Sequence, residues 1–226
     1  MIILAIDTSS IYASCAVMRD GEVLSEKVSL SGLVHSKSVM PLVEDCLKSI
    51  NIDISEVDVF ACVAGPGSFT GVRIGVCAIK GLAQALDKPC AQINTLDCLQ
   101  LNAPYAEYVC PIMDARRGQV YCGEYKNGTL IRQQDVCPLE EVLEFVKDKK
   151  CVFTGDGVKA FKEKIQAYMG DNALFTLPQH NYTRAASALY LAQKAIEDNE
   201  LVSAAALDAI YLRKPQAERE YENRNS

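Results

Sequence analysis

Two short turns in this chain of 226 residues, Asp20-Gly21 and Asn127-Gly128, stand 107 positions apart, and their surroundings repeat with them. Each lies between two β-rich segments, and each pair tolerates the positive φ angles of a two-residue type I′ hairpin. The same offset carries Asp7 onto Asp114, Cys15 onto Cys122 and Val23 onto Leu130. Further on, Pro41-Leu42 with Glu44 resembles Pro138-Leu139 with Glu141, and Gly65-Pro66-Gly67 matches Gly155-Asp156-Gly157. Ordered correspondences of this kind signal an internal duplication, which constrains the fold more than any single motif.

In the first copy, residues 2–8, 11–19 and 22–30 read as strands. An amphipathic helix follows over 36–50, starting in earnest near Val39 so that Pro41 falls in its first turn. A buried strand over 57–64, a helix over 70–86, a strand over 90–93 and a short helix to about Leu101 complete it. The order βββαβα occurs twice, in lobes 1–103 and 104–226 joined near Asn102-Ala103-Pro104. Helices at 183–198 and 202–207 are expected to finish the second copy, with the last segment free to pack back on the first. Two such lobes make an α/β chain with the architecture of the actin/hexokinase/Hsp70-like ATPases, whose lobes are ribonuclease-H-like. That order speaks to fold and leaves function open.

The run Gly65 to Gly75, GPGSFTGVRIG, joins the buried strand to the helix. A strand, a glycine turn and a helix N-terminus can cradle a phosphate on free N–H groups. The glycine spacing is not that of a P-loop, however, and no Lys-Ser/Thr pair follows. Inside the helix, Gly71, Gly75 and Ala78 form a small-residue seam beside the apolar stripe Val72, Val76 and Ile79. Interior glycines cost about 0.5–1 kcal/mol each against alanine, so another backbone is expected to approach closely. The seam leaves open whether that neighbour belongs to this chain or to another.

With 23 basic against 29 acidic residues the chain carries −6, which argues against a protein that holds nucleic acid by itself. The apolar runs read as too short for a membrane span, and Met1 to Ile6 reads as a first strand with no basic region before it. The ten cysteines contain no CxxC pair, and Cys62, Cys77, Cys110 and Cys151 sit in apolar segments, as expected of reduced core thiols in a cytoplasmic protein. Two histidines, His35 and His180, do not make a paired-histidine metal helix, and neither a metal nor a cofactor is expected.

Ile6-Asp7-Thr8-Ser9, His35-Ser36 with Met40-Pro41, the Gly65–Gly75 run and Gly81-Leu82-Ala83 form one part of a familiar pattern. Met113-Asp114-Ala115-Arg116 with Val120-Tyr121, and Tyr211-Leu212-Arg213, form the other. Together they closely resemble the bacterial TsaB (YeaZ) family, over nearly the whole chain. The resemblance implies a non-catalytic paralogue of TsaD, the subunit that transfers threonylcarbamoyl to an adenosine beside the tRNA anticodon. It implies pairing with a TsaD-like subunit through the two helices of the first lobe, a TsaE-like ATPase as a further partner, a homodimer when alone, and tRNA reached only through the complex.

On this reading no residue is catalytic. The partner-facing set is His35, Val39, Val43, Cys46, Gly71, Val72, Arg73, Gly75, Val76 and Ile79, with Arg73 expected to meet Glu44, Asp45 or an acid on the partner. Asp7, Gly65, Gly67, Ser68 and Asp114 are candidates for a vestigial phosphate loop, although Asp7 and Asp114 also fit strand-end carboxylates that bond nearby turn N–H groups. The rival reading is an ATP-dependent small-molecule kinase of the same fold, whose glycine-rich phosphate motifs survive here only in degraded form. A metallopeptidase is disfavoured by the histidine count. The tail from Arg213 to Glu222 alternates in sign and is expected to be solvated.

Overall fold

The computed structural model describes residues 1–30 and 35–213; the charged tail beyond Arg213 lies outside them. The first sheet has the order β3-β2-β1-β4-β5, built from β1 (Ile2–Asp7), β2 (Ala13–Arg19), β3 (Glu22–Ser29), β4 (Val59–Gly65) and β5 (Cys90–Asn94). Its first three strands are antiparallel neighbours and the last two run parallel to β1. Helices α1 (His35–Ser49) and α2 (Phe69–Leu86) cover one face. The second sheet repeats the plan as β10-β9-β6-β7-β8, from β6 (Tyr108–Asp114), β7 (Gln119–Lys126), β8 (Thr129–Pro138), β9 (Cys151–Thr154) and β10 (Ala173–Phe175). Helices α4 (Leu139–Val146) and α5 (Gly157–Met169) pack on it, while α3 (Thr95–Gln100) sits between the lobes. Both hairpin turns adopt the expected conformation, with φ of 50° and 87° at Asp20 and Gly21 and 48° and 76° at Asn127 and Gly128.

Strand alternation explains the layers. Ile2, Leu4 and Ile6 face α1 and α2, whereas Ile3 and Ala5 face the opposite side with Ala16, Ala61 and Ala91. That second face is carpeted with small side chains and is apolar, so it requires a closely seated cover. The cover is α6 (Ala185–Glu197), which brings Ala185, Ala188, Leu189 and Ala192 against it. The expectation that this helix completes the second lobe is therefore corrected: it crosses back to the first. Residues 202–207 form no helix; Val202 bridges Cys90, and the chain then runs along the first lobe until Ile210 N–H reaches the Ala64 carbonyl at 2.7 Å. Helix α1 begins at His35, not near Val39, and holds the exposed Pro41 inside it. On that solvent face water can take the place of the lost i−4 bond.

The 107-residue offset holds for the second and third strands but slips at the first. Cys15 and Cys122 both face their lobe's outer helices, yet Asp7 lies opposite Ser14 on the α6 side while Asp114 lies opposite Val120 on the α4–α5 side. One residue fewer between β6 and β7 produces this, because a single-residue shift turns every side chain of a strand to the other face. The matching carboxylates are thus a correspondence of sequence and not of geometry.

Candidate functional site

In a two-lobe fold of this type the ligand site lies where the carboxyl ends of β1, β4, β6 and β9 converge. Asp7, at the end of β1, is 1% exposed. Its Oδ1 accepts the Ser9 N–H at 2.8 Å, and its Oδ2 accepts the Thr183 hydroxyl. Burial pushes its carboxyl up from the usual range, opposed by those hydrogen bonds and by the charge of His35. Across the cleft, Asp114 accepts Arg116 N–H at 2.7 Å and the Arg116 guanidinium at 3.0 Å, and its own N–H donates to Asp156 at 3.1 Å. Both carboxylates are committed to the turns that follow them.

The glycine run is likewise occupied by the chain itself. A Cβ on Gly65, whose φ is +116°, would stand 2.6 Å from the Ile210 carbonyl oxygen, and one on Gly67 would stand 2.4 Å from that of Ser9. Ser68 N–H already donates to Ser9 O at 2.8 Å, and the Ser68 hydroxyl caps α2 by accepting Gly71 N–H at 3.2 Å. A phosphate cradle presents N–H donors, yet here Gly65 and Gly67 face carbonyl oxygens, which repel an anion. The segment 178–184 closes the cleft from the other side. Thr183 holds Asp7, the ring of Tyr182 meets that of Tyr12 edge-on at 4.6 Å, and Asn102 and Thr154 donate to the His180 carbonyl at 2.7 and 2.9 Å. What remains between Ser10, Thr95, Asp156 and Thr183 is a cavity of about 10 Å³. That is room for one water and far too little for a nucleotide. Asp7, Gly65, Gly67, Ser68 and Asp114 are thus assembled around one cleft without forming a phosphate site. Nothing in the sequence pattern pointed to Thr183, Tyr182 or Ile210, which fill it, although Tyr211-Leu212-Arg213 had marked the neighbouring stretch.

Most of the expected partner-facing set is corrected. Val39, Val43, Cys46, Val72, Val76 and Ile79 are 0–5% exposed and form the core between α1, α2 and the first sheet. The close neighbour of the seam is the β1 end of the same chain: a Cβ on Gly71 would sit 2.2 Å from Thr8 O, and one on Gly75 would sit 2.5 Å from Thr8 Oγ1. His35 is half-buried, its Nε2–H donating to the Ser10 carbonyl at 2.8 Å, so it ties the start of α1 to the same turn. Arg73 is exposed but meets neither Glu44 nor Asp45. Its Nε donates to Tyr211 Oη at 2.7 Å and its guanidinium lies 3.8 Å from the Phe69 ring centroid.

The outward face of the two helices carries other residues. Met40, Pro41 and Glu44 of α1 and Cys77, Gly81 and Ala85 of α2 are exposed, and a Cβ on Gly81 meets nothing within 4 Å. Cys77 is the one exposed thiol among ten free cysteines, where a core position had been expected. By length and composition α2 could cross a membrane, but it is the cover of a sheet, with 33% of it buried. Among the described residues no group of three or more His, Cys, Asp or Glu could hold a metal ion.

Comparison with known proteins agrees with this architecture. A family model described as TsaD, tRNA N6-adenosine threonylcarbamoyltransferase, matches residues 29–221. The tRNA threonylcarbamoyladenosine biosynthesis protein TsaB of Bacillus subtilis (strain 168) is 35% identical over 227 aligned residues, covering 96% of each chain. The solved structure of YeaZ from Pseudomonas aeruginosa superposes with a TM-score of 0.81 at 30% identity, covering 93% of this chain and 99% of that one. The (R)-2-hydroxyglutaryl-CoA dehydratase component A of Acidaminococcus fermentans, at 14% identity and a TM-score of 0.51 over 87% of this chain and 99% of its own, shares the fold alone. Full-length identity of this order, on a duplicated actin-like ATPase fold whose ligand cleft is filled by its own chain, places the protein: it belongs to the TsaB (YeaZ) family.

Proposed function

We propose that this chain is a non-catalytic subunit of the assembly that makes threonylcarbamoyladenosine in tRNA, docking on a TsaD-like catalytic homologue. The filled cleft carries the reading. With about 10 Å³ left beside Asp156 and Thr183 and carbonyl oxygens facing Gly65 and Gly67, the cleft at the strand ends has no room for the nucleotide that a kinase of this fold would use there. The kinase alternative is accordingly set aside. A subunit without a ligand acts by binding the competent state of its partner more tightly than other states. A TsaE-like ATPase and self-association of the isolated chain belong to the same reading.

The docking surface in this reading is the outer face of α1 and α2, opposite the one the periodicity indicated. Cys77, Gly81 and Ala85 recur every four residues along α2, and Met40 is exposed on α1 at 38%. Small side chains on an exposed apolar helix let a second helix approach closely. Gly81→Arg is the test. Its side chain enters open space in the free chain but strands a cation in a dry interface, so association with the catalytic homologue should fall at least ~10²-fold. Co-purification and titration calorimetry measure this, with thermal melting as the control. Unchanged affinity in Gly81→Arg would refute the docking face, and ATP turnover by the purified chain that disappears in Asp7→Ala would refute the non-catalytic assignment.

A further inference from the structure

The segment from Val202 to Arg213 does more than cover Gly65. Its last three described residues bridge the lobes: Tyr211 receives Arg73 from the first, and Arg213 donates to the Ala115 carbonyl at 2.8 Å and to the Gln119 side chain in the second. Two residues of chain span at most about 7 Å, so this segment ties the Arg73 stack to the turn 115–118 and holds them near one another. That turn presents Arg116 and Arg117 at φ of 65° and 56°, followed by Gly118 at 76°, with both arginines exposed. All three residues lie in the left-handed region, a sharp turn of the kind few non-glycine residues adopt.

Four guanidinium groups therefore gather on a chain whose net charge is −6. Of these four, only Arg116 has a carboxylate partner among the described residues, Asp114 at 3.0 Å; Arg73, Arg117 and Arg213 form no ion pair there. The facing acids are Asp114, taken by Arg116, and Asp156, which accepts the Asp114 N–H at 3.1 Å and whose carboxyl burial pushes up from the usual range. Phe69 and Tyr211 lie among the cations at 46% and 41% exposure, with ring centroids 5.7 Å apart. Exposed aromatic rings interleaved with uncompensated arginines are the combination that binds single-stranded nucleic acid, the cations taking phosphates and the rings taking unstacked bases.

We infer that Phe69, Arg73, Arg116, Arg117, Tyr211 and Arg213 form an RNA-contacting surface that bridges the two lobes and engages the phosphodiester backbone and an unstacked base. Only the choice of RNA rests on the functional reading above; the charge and the rings do not. The surface is small, with three or four phosphate contacts, so it guides a nucleic acid within an assembly and does not hold one at physiological salt. Each contact contributes about 0.7–0.9 to the slope of log affinity against log salt, which gives a slope from about −2 to about −3.6. A tenfold reduction in salt then strengthens binding by roughly 10²- to 4 × 10³-fold.

The experiment is fluorescence anisotropy with the purified full chain and a labelled, unmodified tRNA transcript or a short single-stranded RNA, between about 20 and 150 mM salt. Arg117→Gln should flatten the slope by about 0.7–0.9, and Arg73→Gln with Arg117→Gln by about twice that. Arg19→Gln, a distant exposed cation, should leave it unchanged. Tyr211→Ala should weaken single-stranded RNA about tenfold and duplex RNA little, while Tyr211→Phe retains binding. Because Arg73 and Tyr211 belong to the bridging contacts, melting curves accompany their variants, whereas the exposed Arg117 forms no hydrogen bond or ion pair among the described residues, so Arg117→Gln is read directly. An unchanged slope in the Arg117 variant, or equal binding and equal losses with polyglutamate, would overturn the inference, the latter by pointing to an acidic protein segment. Since the assay needs no second protein, failure of Gly81→Arg to disrupt docking leaves it standing, and the reverse also holds.

Discussion

Gly71 and Gly81 occupy the same helix and differ in what lies beyond them, so alanine at each position measures whether the seam is an internal packing device. At Gly81 the new methyl meets nothing within 4 Å, and the helix gains the propensity difference, about 0.5–1 kcal/mol. At Gly71 the methyl would stand 2.2 Å from Thr8 O, where ordinary contact begins at 3.4 Å, so helix and β1 must separate by roughly an ångström. Overpacking of that kind costs about 1–3 kcal/mol. The same movement strains the bond in which Thr8 Oγ1–H donates to Gly71 O at 2.8 Å, worth about 1 kcal/mol. After the helix gain the net loss is about 1–3 kcal/mol. For a chain of this size 1 kcal/mol moves Tm by roughly 2–4 °C. Gly81→Ala should therefore melt a few degrees above the wild type and Gly71→Ala several degrees below it. Circular dichroism melts and urea midpoints at constant m-value report both. A Gly71→Ala protein at least as stable as Gly81→Ala would show that no such approach exists and return the seam to the surface.

Two further predictions concern the cores. Val76→Arg places a cation at a 5% exposed position among Val72, Ile79 and the first sheet, so it should cost several kcal/mol and abolish cooperative melting; a monomer with near-native Tm would make that face an interface after all. Glu124 is 1% exposed, and burial pushes its carboxyl up to about 7 against the attraction of Arg132, whose Nη1 lies 3.0 Å away. Between about pH 4.5 and 7 the folded chain holds a proton that the unfolded chain releases, so this group subtracts stability as pH rises and its full cost is present above 7. Glu124→Gln should lessen the fall in urea midpoint between pH 5.5 and 8, and an equal fall in both proteins would refute the shift.

The strands, both hairpin turns and the duplication were legible because they are local: alternation, Asp-Gly and Asn-Gly pairs and glycine-bounded runs reflect steric rules that act over a few residues. Even the slip between Asp7 and Asp114 is local in origin, yet it was invisible, because an offset in sequence carries no record of which face a side chain takes. For the helices, the sequence marked which positions need close neighbours but not which neighbours. Gly71 and Gly75 were correctly singled out as sites of tight approach, and only the fold assigns that approach to Thr8 of the same chain.

The same limit applies at the cleft. Asp7, Gly65 and Gly67 imply tight turns by their own chemistry. That those turns are closed by Thr183 and Ile210, more than a hundred residues away, follows from α6 crossing back to cover the alanine-rich face of the first sheet. An amphipathic helix advertises an apolar stripe and no partner for it. The sequence therefore determined most of the elements, their duplication and the family to which they belong. Tertiary structure alone decided which surfaces are spent inside the lobe, and so left Met40, Cys77 and Gly81 facing outward, because burial is a property of distant segments meeting in space.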